Sequence, residues 1–304
     1  MNSLKYRNSP LIAACDWSVS SHKRRLAAAE WHGERWVVDP PALVGPPDSL
    51  FPPLVKRARG RSILAGFDFP IGIPRRFAEL NGIESFTAWL LQLGEGHWAD
   101  LYGVCESAQE ISLLRPFYPR APGGRRKQHL IDGLGLTHTD ELLRICERAT
   151  ALRGKACEIF WTLGASQVGR AAIAGWRDLL APAVREGIIA LWPFDNLYSK
   201  SITMAEIYPA ETYAHIGLPR SFGKSSAESR GRQIPRIIDW CERHSIELGC
   251  SIGECRTDDE FDAIIGALGM IEAVSEPRCF TLPEDPAIRS VEGWIFGMAI
   301  QPAG

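Results

Sequence analysis

Ile63-Leu-Ala-Gly-Phe-Asp68-Phe-Pro-Ile-Gly-Ile-Pro74 is the stretch on which the reading of this chain turns. An apolar run with strand character carries one carboxylate near its end, and a Pro/Gly/Pro series then stops any helix. Pro70 and Pro74 lack the amide hydrogen that a central ladder requires, so the strand ends at about Asp68. A carboxylate at the C-terminal edge of a strand, held by a stiff loop, suits a metal ion or a catalytic base better than it suits a core.

Upstream, Leu11-Ile-Ala-Ala-Cys-Asp16 repeats the pattern of an apolar run closed by an acid. Arg24–Glu30 and Glu34–Asp39 read as two strands joined through the turn at His32-Gly33. Residues 48–59 read as a helix capped by Asp48 or Ser49. The first 74 residues thus spell a three-strand meander, a helix and a parallel return strand, an economical α/β opening.

Downstream, from about Phe77 to Trp192, the pattern turns helical, with segments at Ser85–Leu93, Thr139–Leu152, Val168–Trp176 and Trp176–Glu186. A polar, basic loop, Arg115–His129, lies among them. Strand pattern resumes at Gly187–Trp192 and Ser201–Pro209. Two amphipathic helices follow, Ile234–Ile246 and one opening at Asp258, with Thr257 as cap and Glu260 at the capping-box position. Because strands resume after it, residues 75–187 read as a mainly helical insertion within one domain spanning 1–304, not as a free domain.

With 304 residues, 45% of them apolar and 23% charged, the composition is that of a soluble globular protein. A net charge of −2 excludes a dedicated nucleic-acid coat but allows an enzyme with a local basic groove. No run approaches a membrane span, and residues 1–10 hold no secretory apolar region, so no membrane partner is expected. The eight cysteines are scattered, mostly among apolar neighbours, as reduced thiols in a cytoplasmic protein are. Cys241, His244, Cys250 and Cys255 match no common zinc spacing, and the cysteines read as buried thiols. No phosphate-binding or dinucleotide-binding glycine loop is present.

Four acids stand out by position. Asp16 and Asp68 end strands that lie side by side in this scheme, and an unpaired carboxylate in such apolar surroundings is costly. Glu206 ends or interrupts a third strand just before Tyr208-Pro209. Asp262 shares a helix face with Asp258, four residues earlier, and lies beyond the first turn where capping would account for it. Hard cations such as Mg²⁺ take oxygen ligands of this kind, often a few carboxylates together with substrate phosphate.

Ala14-Cys-Asp16, Gly66–Pro74, Ala205-Glu-Ile-Tyr-Pro-Ala-Glu-Thr-Tyr213, Asp258–Ala267 and Glu292-Gly-Trp-Ile295, taken together and in this order, resemble the family called domain of unknown function 429. Its members are predicted nucleases of the ribonuclease H-like fold. The resemblance implies a mixed five-stranded sheet flanked by helices, here with the large helical insertion added. It implies Mg²⁺ or Mn²⁺ held by Asp16, Asp68 and Asp262, with Asp258 sharing the helix role and Glu206 as a further ligand or supporting acid. Metal-dependent hydrolysis of phosphodiester bonds in nucleic acid, DNA or RNA, is the activity implied.

Two basic stretches could hold phosphates: one contains Arg125, Arg126 and Lys127, and the other contains Lys224 and Arg232. Phe117, Tyr118 and Phe222 beside them are candidates for stacking on bases. Trp161–Arg170 places Gln167 and Arg170 between glycines at a helix start, a natural anion setting. Two other readings compete with the nuclease. One is an ATP-dependent phosphotransferase of the actin-like or sugar-kinase type, faintly suggested by Asp16-Trp-Ser-Val-Ser. The other is a non-catalytic module that holds nucleic acid through its basic loops.

Overall fold

The computed structural model describes residues 9–151, 153–164, 167–219, 222–250, 252–276 and 280–300. Residues 1–8, Leu152, Ser166, Arg220, Ser221 and Cys279, which enter the readings above, lie outside them.

In chain order the strands are β1 (Leu11–Asp16), β2 (Arg25–Trp31), β3 (Trp36–Val38), β4 (Ala42–Leu43), β5 (Ile63–Phe67), β6 (Ile189–Leu191), β7 (Ile202–Glu206) and β8 (Ile246–Leu248). The α-helices are α1 (Phe51–Ala58), α2 (Arg75–Asn81), α3 (Phe86–Leu90), α4 (Gln128–Leu134), α5 (Val168–Gly175), α6 (Ala181–Arg185), α7 (Pro209–Ile216), α8 (Ala227–Gly231), α9 (Ile234–Arg243) and α10 (Asp258–Ser275). A π-helical turn at Trp176–Leu180 joins α5 to α6. No helix among the described residues is long and apolar enough to cross a membrane.

The chain forms two compact units. The first takes the residues up to Asp68, Leu197–Thr281 and the chain from Ile295; the second takes Phe69–Asn196 and Leu282–Trp294. The stretch read as a helical insertion, 75–187, falls in the second unit.

The first unit is α/β, with a mixed sheet flanked by helices. Its strands run in the order β7-β5-β1-β2-β3-β8, and β4 pairs with the start of β2. β1, β2 and β3 are the expected antiparallel meander, and β5 returns parallel to β1. β7 is parallel to β5, and β8 is parallel to β3. Seven strands in this unit exceed the five implied by the family resemblance. The additions, β4 with two residues and β8 with three, are too short for any alternation to be read from sequence. β1, β5 and β7 are buried along their whole length, as parallel strands covered on both faces must be.

α10 crosses β1 and β2. Its start follows from sequence: Thr257 Oγ1 accepts the Glu260 N–H at 3.1 Å, and acids fill the first turn where the helix dipole favours them. The box is not closed, because Glu260 instead accepts the Arg256 N–H at 2.7 Å. Small residues set the depth of the helix. A Cβ on Gly266 would stand 2.8 Å from Ile207 Cδ1 and 3.3 Å from Ala14 Cβ, and one on Gly66 would stand 2.5 Å from Met270 Sδ. Ala14, Gly66 and Gly266 thus let α10 lie low over the strand ends.

The second unit is mainly helical and rests on buried ion pairs. Arg144, fully buried, donates to Glu147 Oε1 at 3.0 and 2.9 Å and to the Glu292 carbonyl at 3.1 Å. The Glu292 carboxylate accepts the N–H groups of Ile145 at 3.1 Å and Arg75 at 3.3 Å. A Cβ on Gly72, whose φ is +140°, would stand 2.0 Å from the Glu292 carbonyl oxygen, so glycine is required where these two segments meet. The helix expected at Thr139–Leu152 is absent. Two 3₁₀ turns, Thr139–Leu142 and Ile145–Glu147, stand there instead. Glu141 accepts the N–H groups of Thr137 and His138, and Glu147 accepts that of Arg144, so these side chains satisfy the backbone that a helix would have satisfied. The side-chain cap expected for α1 is also absent: Ser49 donates to the Pro46 carbonyl at 2.7 Å, and the helix begins at Phe51.

Candidate active site

Asp16 closes β1, and Asp68 follows β5 by one residue. The register pairs Cys15 with Phe67, so the two acids leave neighbouring parallel strands at the same level. Side chains alternate along a strand, which puts Asp16 with Ala14 and Asp68 with Gly66 on the face that α10 covers. Asp262, one turn before Gly266 on that helix, meets them there. The three acids expected to act together are brought together.

Glu206 is not with them. It pairs with Phe67, so alternation turns its side chain to the opposite face of the sheet, with Cys15 and Phe67. It is buried, and its main-chain carbonyl accepts the Phe296 N–H at 2.8 Å.

The cluster is electrostatically loaded. Burial, and then the charges of Asp68 and Asp262, push the Asp16 carboxyl far above the ordinary carboxylate range. Burial also raises Asp68, against the pull of a 2.6 Å hydrogen bond from the Trp17 N–H. Each carboxyl bears on the other, and two acids confined at this level favour the protonated form of Asp16. Asp262 is raised by burial, partly offset by Lys224 and Tyr213. The Lys224 ammonium pairs with one Asp262 oxygen and the Tyr213 hydroxyl donates to the other. Burial and the Asp262 charge together hold the Tyr213 phenol firmly protonated. Asp258, one turn earlier and half-buried, accepts from Ser225 Oγ at 3.4 Å.

Comparison with family models, with curated proteins and with solved structures gives no match for this chain. The site is therefore read from its own chemistry.

Among the described residues no three His, Cys, Asp or Glu side chains stand arranged to ligate one ion. Asp16 and Asp68 face each other, and Asp262 is held by Lys224 and Tyr213. The donor set nonetheless fits a hard divalent cation: three carboxylates, all oxygen donors, share one partly buried place with the Lys224 ammonium against them. Like charges confined in this way favour either a proton or a dication between them.

The seven residues read as substrate contacts divide between the units. In the first, Lys224 sits on Asp262, while Arg232 is exposed and pairs with Glu228 at 2.7 Å along its own helix turn. In the second, Lys127 pairs with the fully buried Glu158 and lies 5.9 Å from the centre of the Trp161 ring. Arg125 lies over the Tyr118 ring, Arg126 is exposed, and Arg170 donates to the Arg120 carbonyl at 2.7 Å. Gln167, exposed and at φ +38°, precedes α5 without capping it. Phe117 and Tyr118 are wholly buried in the second unit, which removes both as stacking platforms. Phe222 is half-buried against Tyr213 and Phe261. The residue that sequence reasoning missed is Tyr213. Its signal was its place on the helix that Pro209 opens straight after β7.

Proposed function

We propose that this chain is a divalent-cation-dependent phosphodiesterase acting on nucleic acid, on a ribonuclease H-like arrangement of strands, with Asp16, Asp68 and Asp262 holding Mg²⁺ or Mn²⁺. The observation that supports it is the convergence of those three carboxylates from two adjacent parallel strands and one helix. A bound dication there would supply Lewis-acid activation of water and neutralise charge on the phosphodiester. The chain's own residues prepare that place. Asp16 and Asp68 would be the ligands borne by the strands and Asp262 the one borne by the helix; the Trp17 N–H orients Asp68, and the Tyr213 hydroxyl orients Asp262. Asp258 borders the site from the preceding turn.

The test is a cleavage assay in Mg²⁺ and in Mn²⁺ on single- and double-stranded DNA, RNA, an RNA/DNA hybrid and a branched junction, with wild type beside Asp16→Asn. Cleavage by wild type alone is expected, and it names the substrate class. Equal cleavage by both proteins would place the activity elsewhere. Silence from both, with saturable Mg·ATP binding, would favour the phosphotransferase reading.

A further inference from the structure

Lys224 does more than line the site. Its ammonium lies on Asp262 and its charge is also felt by Asp16 and Asp68, so it serves all three acids as a counter-charge. The segment that carries it is built to keep it there. Arg230, buried, donates through Nη1 to the Lys224 carbonyl at 2.7 Å and through Nη2 to the carbonyls of Cys255 at 3.2 Å and Arg256 at 3.3 Å. One guanidinium thus clamps the 222–226 strap to the chain entering α10. Phe222 packs on Tyr213 and Phe261, Gly223 takes a left-handed turn at φ +64°, and Ser226 caps α8 by accepting the Ser229 N–H. The strap is fixed at both ends, with the lysine at its middle aimed at the carboxylates.

Resting on the metal-site reading above, we propose that Lys224 is the resident counter-ion of the cation-free protein, and that a divalent cation binds only by displacing its ammonium from Asp262. The lysine and the dication then compete for the same oxygens. Binding frees a positive side chain on a clamped strap at the rim of the site, where a substrate phosphate would meet it. Its removal should tighten cation binding, the reverse of the effect of removing a ligand.

Calorimetric titration of cation-free protein with Mn²⁺ tests this without any turnover. Lys224→Met is expected to bind Mn²⁺ about tenfold more tightly than wild type, since an opposing unit charge has left the site. Lys224→Arg should behave as wild type, and Asp16→Asn should lose binding, which locates the ion. Equal or weaker binding by Lys224→Met would overturn the competition while leaving the metal site standing. No Mn²⁺ binding by any of the proteins would overturn both. Acetic anhydride labelling of wild type with peptide mapping gives a second readout that needs no variant. Lys224, whose side chain is 42% exposed, should be modified several-fold faster with Mn²⁺ than without it, relative to the exposed Lys56. An unchanged ratio would overturn the displacement.

Discussion

The main-chain N–H of Trp17 donates to Oδ1 of Asp68 at 2.6 Å, so the residue after one cluster acid holds the other. The pair is fixed by backbone rather than by a flexible side chain, and its mutual repulsion is built into the fold. Asp16→Asn keeps the size and removes a carboxyl whose ionisation the fold penalises. It should raise the melting temperature of the cation-free protein, by on the order of 1 kcal/mol in stability, and abolish the further rise on adding Mn²⁺. Thermal melts with and without Mn²⁺ check both halves.

The pH dependence follows from the same pair. Asp16 and Asp68 both have pKa values raised by folding, so between the ordinary carboxylate pKa of about 4 and the raised values the folded state holds more protons than the unfolded one. This contribution is fully favourable below the unfolded pKa and is lost as pH rises through that window. Urea unfolding of the cation-free protein at a series of pH values should show the decline, and saturating Mn²⁺ should flatten it. A contribution that rises with pH instead would mean the pair is already ionised.

Glu206 and Asp262 were grouped by sequence and are separated by the sheet. Glu206→Gln should leave Mn²⁺ affinity within about twofold, whereas Asp262→Asn should weaken it by about tenfold or more. The titration that tests Lys224 measures both.

Gly66 keeps room for Met270 and Ile207 beneath α10. Gly66→Val would drive a branched side chain into both, at a cost of about 1–3 kcal/mol, and would lift the helix that carries Asp262. The expected result is a lower melting temperature together with weaker Mn²⁺ binding. Loss of stability with unaltered affinity would mean that α10 yields somewhere other than at the acids.

The parts of this architecture that the sequence makes legible are those where one local signal suffices. β1 and β5 are apolar runs closed by an acid, and α10 carries its cap and its periodicity on its face. What was not legible depends on phase or on partners distant in sequence. Glu206 has the same motif character as Asp68, but a single residue of register decides which face of the sheet it occupies. The strand read through Pro209 ends at Glu206, because Pro209 opens α7. The segment from Thr139 to Leu152 has the composition of a helix, and only its carboxylates, turned back on nearby amides, reveal that it is none. Lys224 reads as one more cation of a polar loop until Asp262, 38 residues on, is placed against it.

Gly72 and Glu292, whose contact admits no side chain at residue 72, belong to the same unit yet are separated in sequence by Leu197–Thr281 of the other. The second unit therefore stays unfinished until Leu282–Trp294 has left the ribosome, by which time Leu197–Thr281 of the first is already available. A chain stopped short of Glu292 carries Arg144 without the carbonyl that receives it, so the second unit cannot close its buried core before residues 282–294 are made.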